Sequence, residues 1–360
     1  MITKNNKKII AYELPSGYQN KGKSIGNKIE DFEILQVMGE GSFGFVAKVK
    51  SKKNSEIYAL KKSDIQKMDD KSKKKLKNEL YFLKFFDHPN VCRCLTSFEQ
   101  DGCLYYVMKL FNNKDLYRYL NAYRQLDIFI KEENLWDIFY QCLFGLQYIH
   151  NQGVIHRDIK LGNLFMDENG NIQIGDFGIS EVMTKKEAKK IAKNEEIDSL
   201  LFDPNESAGT ELFMAPEIMN GLFYDQKADV FSMGICFYIL CFKTVPYGNI
   251  YMFDLYNDQR YSKELKNIII QMIQMDPGQR PDSCILFKQF KALYIQYYSK
   301  NTGIYSAIQC LFSFQNIMDY FSDSFKLGEI MGTEYKKKVS LIMIGIKDLI
   351  KDNKNKDLEI

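Results

Sequence analysis

The sequence lacks any apolar run of the ~18 residues that a membrane-spanning helix needs. Its first ten residues, MITKNNKKII, also lack the apolar stretch and cleavage site of a secretory signal peptide. From these two absences we expect no transmembrane segment and a location in the cytoplasm, with the nucleus as the alternative.

Histidine is scarce, with three residues in 360, and none of the eight cysteines forms a CxxC pair. Both facts argue against a zinc site. Most cysteines lie in apolar runs such as GICFYILCF, which favours buried, reduced thiols over disulfides.

Excess charge of either sign is also missing, because the net charge is only +3. A charge this small does not by itself imply binding to nucleic acid, so we expect no nucleic-acid partner. Residues 48–77 nevertheless hold twelve lysines against four acids. This stretch is either a solvated face or a docking patch for acidic partners.

The chain contains two kinds of apolar pattern. Short alternating runs from Phe32 onward, such as FEILQVMGEGSFGFVAKVK, predict β-strands, and residues 66–86 predict one helix among them. Beyond Asp115 the spacing becomes helical, as in LWDIFYQCLFGLQYIHN, residues 226–242 and residues 262–275. We therefore predict a β-rich part followed by a mostly helical part.

A glycine cluster, GEGSFGFV, lies between two of the strand-like runs. Glycines allow the backbone to approach a phosphate closely, but a GxGxxG pattern alone also fits a dinucleotide-binding fold or an ordinary turn. In a dinucleotide-binding fold a helix begins at the last glycine. Here FVAKVK alternates as a strand does, which favours a β-hairpin lid over phosphates.

A lysine in the next strand-like run, Lys61 of YALKK, could reach phosphates if a carboxylate held it. Glu79, on the predicted helix, could supply that carboxylate. Each residue is unremarkable alone, and only their order along the chain indicates a pair.

The stretch VIHRDIKLGNLF concentrates polar groups between apolar ends, and GDFGIS follows a short hairpin. Buried charge is costly unless it is paired, bound to metal or used in chemistry. Asp158 can accept a proton from a hydroxyl, Lys160 can neutralise phosphate, and Asn163 and Asp176 can offer oxygen ligands to a hard cation. Phosphoryl transfer requires this set of groups.

The motifs GEGSFGFV, YALK, HRDIKLGN, DFG and MAPE occur in the order and approximate spacing of eukaryotic protein kinases, which residues 32–295 therefore resemble. This resemblance implies an α+β, two-lobed fold: a flexible lead at 1–28, a β-rich N-lobe with one helix at 29–111, a helical C-lobe at 112–295 and a helical extension with a disordered end at 296–360. It also implies ATP and Mg²⁺ as cofactors, and proteins with Ser or Thr as substrates.

The resemblance assigns roles residue by residue. Asp158 resembles the catalytic base, Lys61 and Glu79 the ion pair of the active state, and Asn163 and Asp176 the magnesium ligands. The residues placed like the family's nucleotide site are Met38, Gly39, Glu40, Gly41, Ser42, Phe43, Gly44, Val46, Ala59, Lys61, Met108, Lys109, Leu110, Phe111, Asp115 and Phe165.

Other matches concern substrate type and control. Lys160 together with Thr210 of GTELFMAPE follows the Ser/Thr-kinase pattern. Arg157 implies a basic pocket that a phosphorylated loop can fill, with Ser207 as the candidate phosphosite and Ser199 behind it.

Further matches concern structure and subfamily. Glu217 and Arg280 resemble the family's structural ion pair, and Asp229 resembles the carboxylate that braces the catalytic loop. The catalytic loop is similar to polo-like kinases, whereas the opening is similar to NIMA-related and ULK-type kinases.

Residues 296–360 extend beyond the family pattern. One predicted helical face is apolar, and VSLIMIGIKDLI predicts a second apolar helix. These helices either pack on the protein itself or form a partner or self-association interface. Two rivals to an active protein kinase remain, a pseudokinase scaffold that acts through this extension and a small-molecule kinase of related fold.

Overall fold

Alternating β-branched and aromatic residues in the first third of the chain form a five-stranded antiparallel sheet. The computed structural model describes residues 24–112, 115–182, 211–246 and 255–301, with side chains to residue 298. The strands are β1 (Phe32–Gly41), β2 (Gly44–Ser51), β3 (Ile57–Asp64), β4 (Cys94–Gln100) and β5 (Cys103–Met108), in the spatial order β1-β2-β3-β5-β4.

The glycine cluster lies at the turn of the β1–β2 hairpin, where Gly41 pairs with Gly44. A strand therefore follows the last glycine, as predicted, and the dinucleotide-binding alternative is excluded. Gly44 is required by packing, because a Cβ atom there would lie 1.9 Å from the carbonyl oxygen of Lys62 on β3.

Helix α1 (Asp70–Phe85) contacts β4 and begins four residues later than predicted. The reason is local, because a 3₁₀ turn occupies Ile65–Lys67 and Asp69 then caps the helix by accepting a hydrogen bond from the Ser72 N–H at 2.9 Å. Leu76 and Leu83 on its inner face are buried.

The packed N-lobe also extends further toward the N-terminus than the predicted boundary at residue 29. Ile25 is buried against the sheet, and its carbonyl oxygen accepts a hydrogen bond of 2.6 Å from the Ser51 hydroxyl. The rest of the predicted lead, residues 1–23, lies outside the described residues.

The remainder of the described chain is mostly helical. Its elements are α2 (Leu116–Gln125), α3 (Glu132–Asn151), β6 (Val154–Ile155), β7 (Leu164–Met166), β8 (Ile172–Ile174), β9 (Glu181–Val182), α4 (Pro216–Met219), α5 (Lys227–Phe242), α6 (Lys263–Met272) and α7 (Ser283–Asn301). Strands β6 and β9 form one small ribbon and β7 and β8 another. The predicted α+β architecture, a β-rich part followed by a mostly helical part, is confirmed.

Helices α3 and α5 form the centre of this helical lobe, where the rings of Phe139 and Phe237 stack 3.6 Å apart. Helix α3 also lies close to the segment that precedes β4. A Cβ atom at Gly145 would lie only 2.6 Å from the carbonyl oxygen of Asn90. That oxygen accepts a hydrogen bond from the Ile174 N–H on β8 at 2.9 Å, so the glycine permits a contact that positions β8.

The cysteines of the described residues are free thiols, six buried and one, Cys284, exposed. No helix in the described ranges is long and apolar enough to cross a bilayer. The chain divides into two units, Met1–Tyr294 and Ile295–Ile360, and the second lies outside the described residues beyond the end of α7.

Candidate active site

The loop between β6 and β7 is held by one buried carboxylate, that of Asp229 on α5. Asp229 accepts hydrogen bonds from the backbone N–H groups of His156 at 2.7 Å and Arg157 at 2.8 Å, and its Oδ2 lies 2.9 Å from His150 Nε2. Burial raises the pKa of Asp229, but the hydrogen bonds from His150 and the His156 backbone outweigh it and leave the pKa below its ordinary value.

These hydrogen bonds to Asp229 matter because Arg157 has a φ of +70°, a left-handed conformation that is energetically costly for a residue with a side chain. Two backbone N–H groups that donate charge-assisted hydrogen bonds to one carboxylate fix the strained turn. The predicted bracing contact of Asp229 is therefore present.

The Asp158 carboxylate, which follows directly, is held by its neighbours in the loop. Lys160 Nζ lies 3.0 and 2.8 Å from its two oxygens. The Asn163 amide donates to its Oδ2 at 2.9 Å and to its backbone oxygen at 2.8 Å. Asp158 therefore has a fixed orientation beside a cation.

Asp176 follows β8 and is exposed, whereas the next residue, Phe177, is fully buried. The Phe177 ring packs against Phe86 and His156, each 4.9 Å away, and near Phe82. Asp176 has a φ of +66°. The buried ring thus anchors a strained turn that presents the neighbouring carboxylate to solvent.

The Lys61–Glu79 ion pair links β3 to α1. Lys61 Nζ lies 2.9 Å from both carboxylate oxygens of Glu79. Tyr106 on β5 is the cross-strand partner of Lys61 on β3. Its hydroxyl group donates a third hydrogen bond to Glu79 at 2.8 Å. Burial, followed by the charge of Glu79, raises the pKa of Tyr106 well above its ordinary value, so this hydroxyl stays a donor.

A cavity of about 630 Å³ lies beneath the β1–β2 hairpin, and Asn163 is not among the residues that line it. No atom lies within 4 Å of the Cβ positions that side chains at Gly39 or Gly41 would occupy, so the hairpin leaves open space there. Of the predicted site residues, those in the cavity wall are residues 39–44, Val46, Lys61, Glu79, Asp158, Lys160 and Asp176.

The remaining predicted nucleotide-site residues are not part of this wall, namely Met38, Ala59, Met108, Lys109, Leu110, Phe111, Asp115 and Phe165. Several of them are nevertheless close together. Ala59 pairs with Met108 across β3 and β5, and the rings of Phe111 and Phe165 stack 5.7 Å apart. Asp115 forms a β-bridge with Phe165.

The side chain of Lys109 forms an ion pair with Asp167, with 2.6 Å between Nζ and Oδ2. This ion pair engages the side chain of Lys109 and does not involve its backbone.

A buried ion pair lies in the helical lobe, between α4 and the residues that precede α7. Arg280 Nη2 lies 2.8 Å from Glu217 Oε2, and the guanidinium group lies 4.8 Å from the centre of the Phe231 ring. The predicted Glu217–Arg280 contact is therefore present.

Sequence reasoning missed three residues that contact this machinery: Tyr106, Asn78 on α1, and Glu181 on β9. Glu181 forms a 2.8 Å ion pair with Arg157, and Asn78 donates to backbone oxygens just after Asp176. None of the three belongs to a recognised motif, and only their closeness to motif residues could have indicated them. Thr210, Ser207 and Ser199 lie outside the described residues.

The donor set fits nucleotide and magnesium. The cavity offers glycine backbone and lysine ammonium groups, which suit phosphates. Asp176 and Asn163 carry the oxygen donors that Mg²⁺ prefers, and Mg²⁺ in such sites uses one or two carboxylates together with phosphates.

Comparison with known proteins gives one family. The family model described as "Protein kinase domain" matches residues 32–290. The probable serine/threonine-protein kinase nek2 of Dictyostelium discoideum is 34% identical over 71% of the chain and 61% of its own length. Mouse Nek1 is 30% identical over 74% of the chain, and human Nek5 is 29% identical over 72%.

The matches to Nek1 and Nek5 span 22% and 36% of those proteins, so the chain covers less than two thirds of the curated relatives it matches. The motifs suggested similarity to three subfamilies, the polo-like, NIMA-related and ULK-type kinases. The relatives named above are NIMA-related kinases.

Proposed function

Because this chain belongs to the protein kinase family, we propose that it is a serine/threonine kinase that transfers the γ-phosphate of ATP to protein hydroxyl groups. The observation that carries this proposal is the convergence of Lys61 with its Glu79 partner, Asp158 and Asp176 on one cavity. A pseudokinase that had lost catalysis would be expected to lack at least one of these groups.

Asp158 acts as the base in this proposal. Lys160 and Asn163 hold its carboxylate, so it is oriented to accept the proton of a substrate hydroxyl group as the oxygen attacks phosphorus. Lys160 also places a positive charge where the transferred group gains negative charge.

Lys61 binds phosphate oxygens in this proposal, and Glu79 and Tyr106 orient its ammonium group. The β1–β2 hairpin covers the phosphates and excludes water. The backbone of residues 109–111 binds adenine, with Met38, Val46, Ala59 and Phe165 as the apolar surround and Asp115 near the ribose.

Asp176 and Asn163 would hold Mg²⁺, which neutralises the charge of the phosphates when bound. Thr210 together with Lys160 remains the basis for expecting Ser and Thr as acceptors. The magnesium assignment follows from the family pattern and from the oxygen atoms of Asp176 and Asn163. The expected Ser and Thr acceptors follow from the family pattern at Lys160 and Thr210.

The test is γ-phosphate transfer from labelled Mg-ATP to a generic protein substrate by the full chain. We expect phosphoserine and phosphothreonine, and a loss of about a hundredfold or more in the Asp158→Asn variant, since a positioned general base contributes ~10²–10⁴-fold. The melting temperature should stay near that of the wild type because the amide keeps the carboxylate's shape.

The matched control is Asp101→Asn, an exposed turn residue with a φ of +51° that asparagine tolerates. Its activity should be unchanged. Full activity in Asp158→Asn would refute the role of this residue. Label found only on a small molecule would favour the small-molecule kinase, and no transfer by the folded wild type would favour the pseudokinase.

A further inference from the structure

The side chain of Arg157 is only 7% exposed, and its charge is matched within the chain. Its Nη1 lies 2.8 Å from Glu181 Oε2, and the guanidinium carbon lies 5.5 Å from the centre of the Tyr224 ring. A buried guanidinium group that lost its carboxylate would be unpaired and costly.

The backbone fixes the position of this carboxylate. Glu181 belongs to β9, which pairs antiparallel with β6, and its direct partner there is Ile155. Strands β6 and β9 therefore hold Glu181 at a set distance from Arg157, which lies two residues beyond Ile155. Glu181 therefore belongs to the two-stranded β6–β9 ribbon and not to residues 183–210.

A second set of contacts ties residues 177–180, which precede Glu181, to helix α1 of the β-rich lobe. The Asn78 amide on α1 lies within hydrogen-bonding distance of three backbone oxygens, those of Phe177 at 3.2 Å, Gly178 at 3.3 Å and Ser180 at 2.8 Å. The Ser180 hydroxyl in turn donates to the His156 backbone oxygen at 3.0 Å. Residues 177–180 are thus tied both to α1 and to the catalytic loop.

These contacts bear on two strained residues. Arg157 and Asp176 both have positive φ, and such conformations, which cost roughly 1–3 kcal/mol, persist only where surrounding groups enforce them. Glu181 holds the side chain of Arg157, and Asn78 holds the backbone directly after Asp176. Each is therefore placed to keep a motif residue in its observed conformation.

We propose that Glu181 and Asn78 are positioning residues that keep Arg157 and Asp176 in the catalytic arrangement without a phosphate group on residues 183–210. The inference rests on the proposed kinase function. A phosphate that reached Arg157 would have to displace Glu181 or lie beside a like charge, which is unfavourable. A phosphate-dependent switch through Ser207 is the competing outcome.

The first test removes phosphate from the full chain with a phosphatase, verified by mass spectrometry, before activity is measured. We expect wild-type kcat to stay within about twofold, because Arg157 keeps its carboxylate partner. A fall of about tenfold or more, reversed by rephosphorylation, would overturn the proposal.

The second test uses Glu181→Gln and Asn78→Ala. We expect the kcat of each to fall about tenfold, with the KM for ATP within about twofold, because the substituted groups orient the base and metal ligand but do not touch nucleotide. Glu181→Asp should recover part of the loss, since it restores the charge. Wild-type kcat in both variants would contradict the proposed role.

Matched controls are Glu99→Gln, an exposed glutamate on β4, and Asn267→Ala, an exposed asparagine on α6. Both should retain wild-type kcat. If they fall as far as the test variants, the losses reflect general damage and the positioning role is rejected.

A third measurement does not require activity. Hydrogen exchange of peptides covering residues 177–182 should be the same in wild type before and after phosphatase and faster in Glu181→Gln. Faster exchange in dephosphorylated wild type would overturn the proposal. Unchanged exchange with no phosphate transfer would instead mark a failure of the proposed function alone.

Discussion

The Arg280–Glu217 ion pair of the helical lobe and the Lys61–Glu79 ion pair of the sheet lobe differ in their surroundings. Arg280 and Glu217 in the helical lobe are 0% and 4% exposed. Lys61 and Glu79 in the sheet lobe are 32% and 14% exposed and line the cavity. The same pairing chemistry is thus found in a closed setting and in an open one.

The closed pair has its hydrogen-bonding capacity filled. Besides Glu217, Arg280 donates to the backbone oxygens of Gln274, Met275 and Lys227. Lys61 is bound by Glu79 but faces the cavity, so its ammonium group can also meet a ligand. The buried Arg280–Glu217 pair therefore stabilises the fold, whereas the more exposed Lys61–Glu79 pair can contact a ligand in the cavity.

The largest expected effect follows from breaking the closed pair. Arg280→Met leaves Glu217 buried without a cation, which should lower the free energy of unfolding by about 3–5 kcal/mol. Denaturant unfolding measures this loss. The double variant with Glu217→Leu should recover part of it, because no unpaired charge remains.

The matched control is Arg93→Met. Its ion pair with Asp87 is about one-third exposed on each side, so the cost should stay below about 1 kcal/mol. Equal losses in Arg93→Met and Arg280→Met would show that burial is not what distinguishes the two settings.

Breaking the open pair should change activity rather than stability. Lys61→Met is expected to reduce kcat/KM by about a hundredfold, since it removes one charged phosphate contact of the kind worth ~10²–10³-fold. The melting temperature should change little, because the methionine side chain can still pack beside Tyr106 on β5. Lys50→Met, an exposed lysine on β2, is the control. A variant that unfolds while the control does not would contradict the distinction.

The smallest effect is expected from the third contact of the open pair. Tyr106→Phe keeps the ring and removes the hydroxyl hydrogen bond to Glu79, worth about 1 kcal/mol, so activity should fall about two- to fivefold. Steady-state kinetics on the Lys61→Met, Tyr106→Phe and double variants measure this effect. A loss in Tyr106→Phe as large as that in Lys61→Met would mean that the hydroxyl group, rather than the lysine, chiefly holds Glu79.

The sequence allowed the fold and the motif-bearing groups to be predicted because each motif has a fixed order along the chain. The Lys61–Glu79 and Glu217–Arg280 contacts were expected on that basis and are present. The start of α1 was placed four residues early, since periodicity does not distinguish the preceding 3₁₀ turn from the helix capped by Asp69.

The supporting contacts could not be predicted in the same way. Asn78 and Glu181 lie about a hundred residues apart and contact neighbouring parts of one segment only after folding. A polar residue on a helix or a short strand is ordinarily a solvated one, so no local pattern distinguishes these two. Among the residues proposed to lie near adenine, Phe165 and Phe111 stack on each other, and this stacking is likewise a tertiary contact.

The close approach at Gly145 gives this position an influence beyond its own helix. A methyl group there would push on the Asn90 oxygen that receives the Ile174 N–H, and Asp176 lies two residues beyond Ile174. The Asn90 carbonyl group therefore connects helix α3 with the strand that leads to the proposed metal ligand. A small change in volume at a buried residue outside every catalytic motif would be transmitted to the cleft as a displacement of that carboxylate.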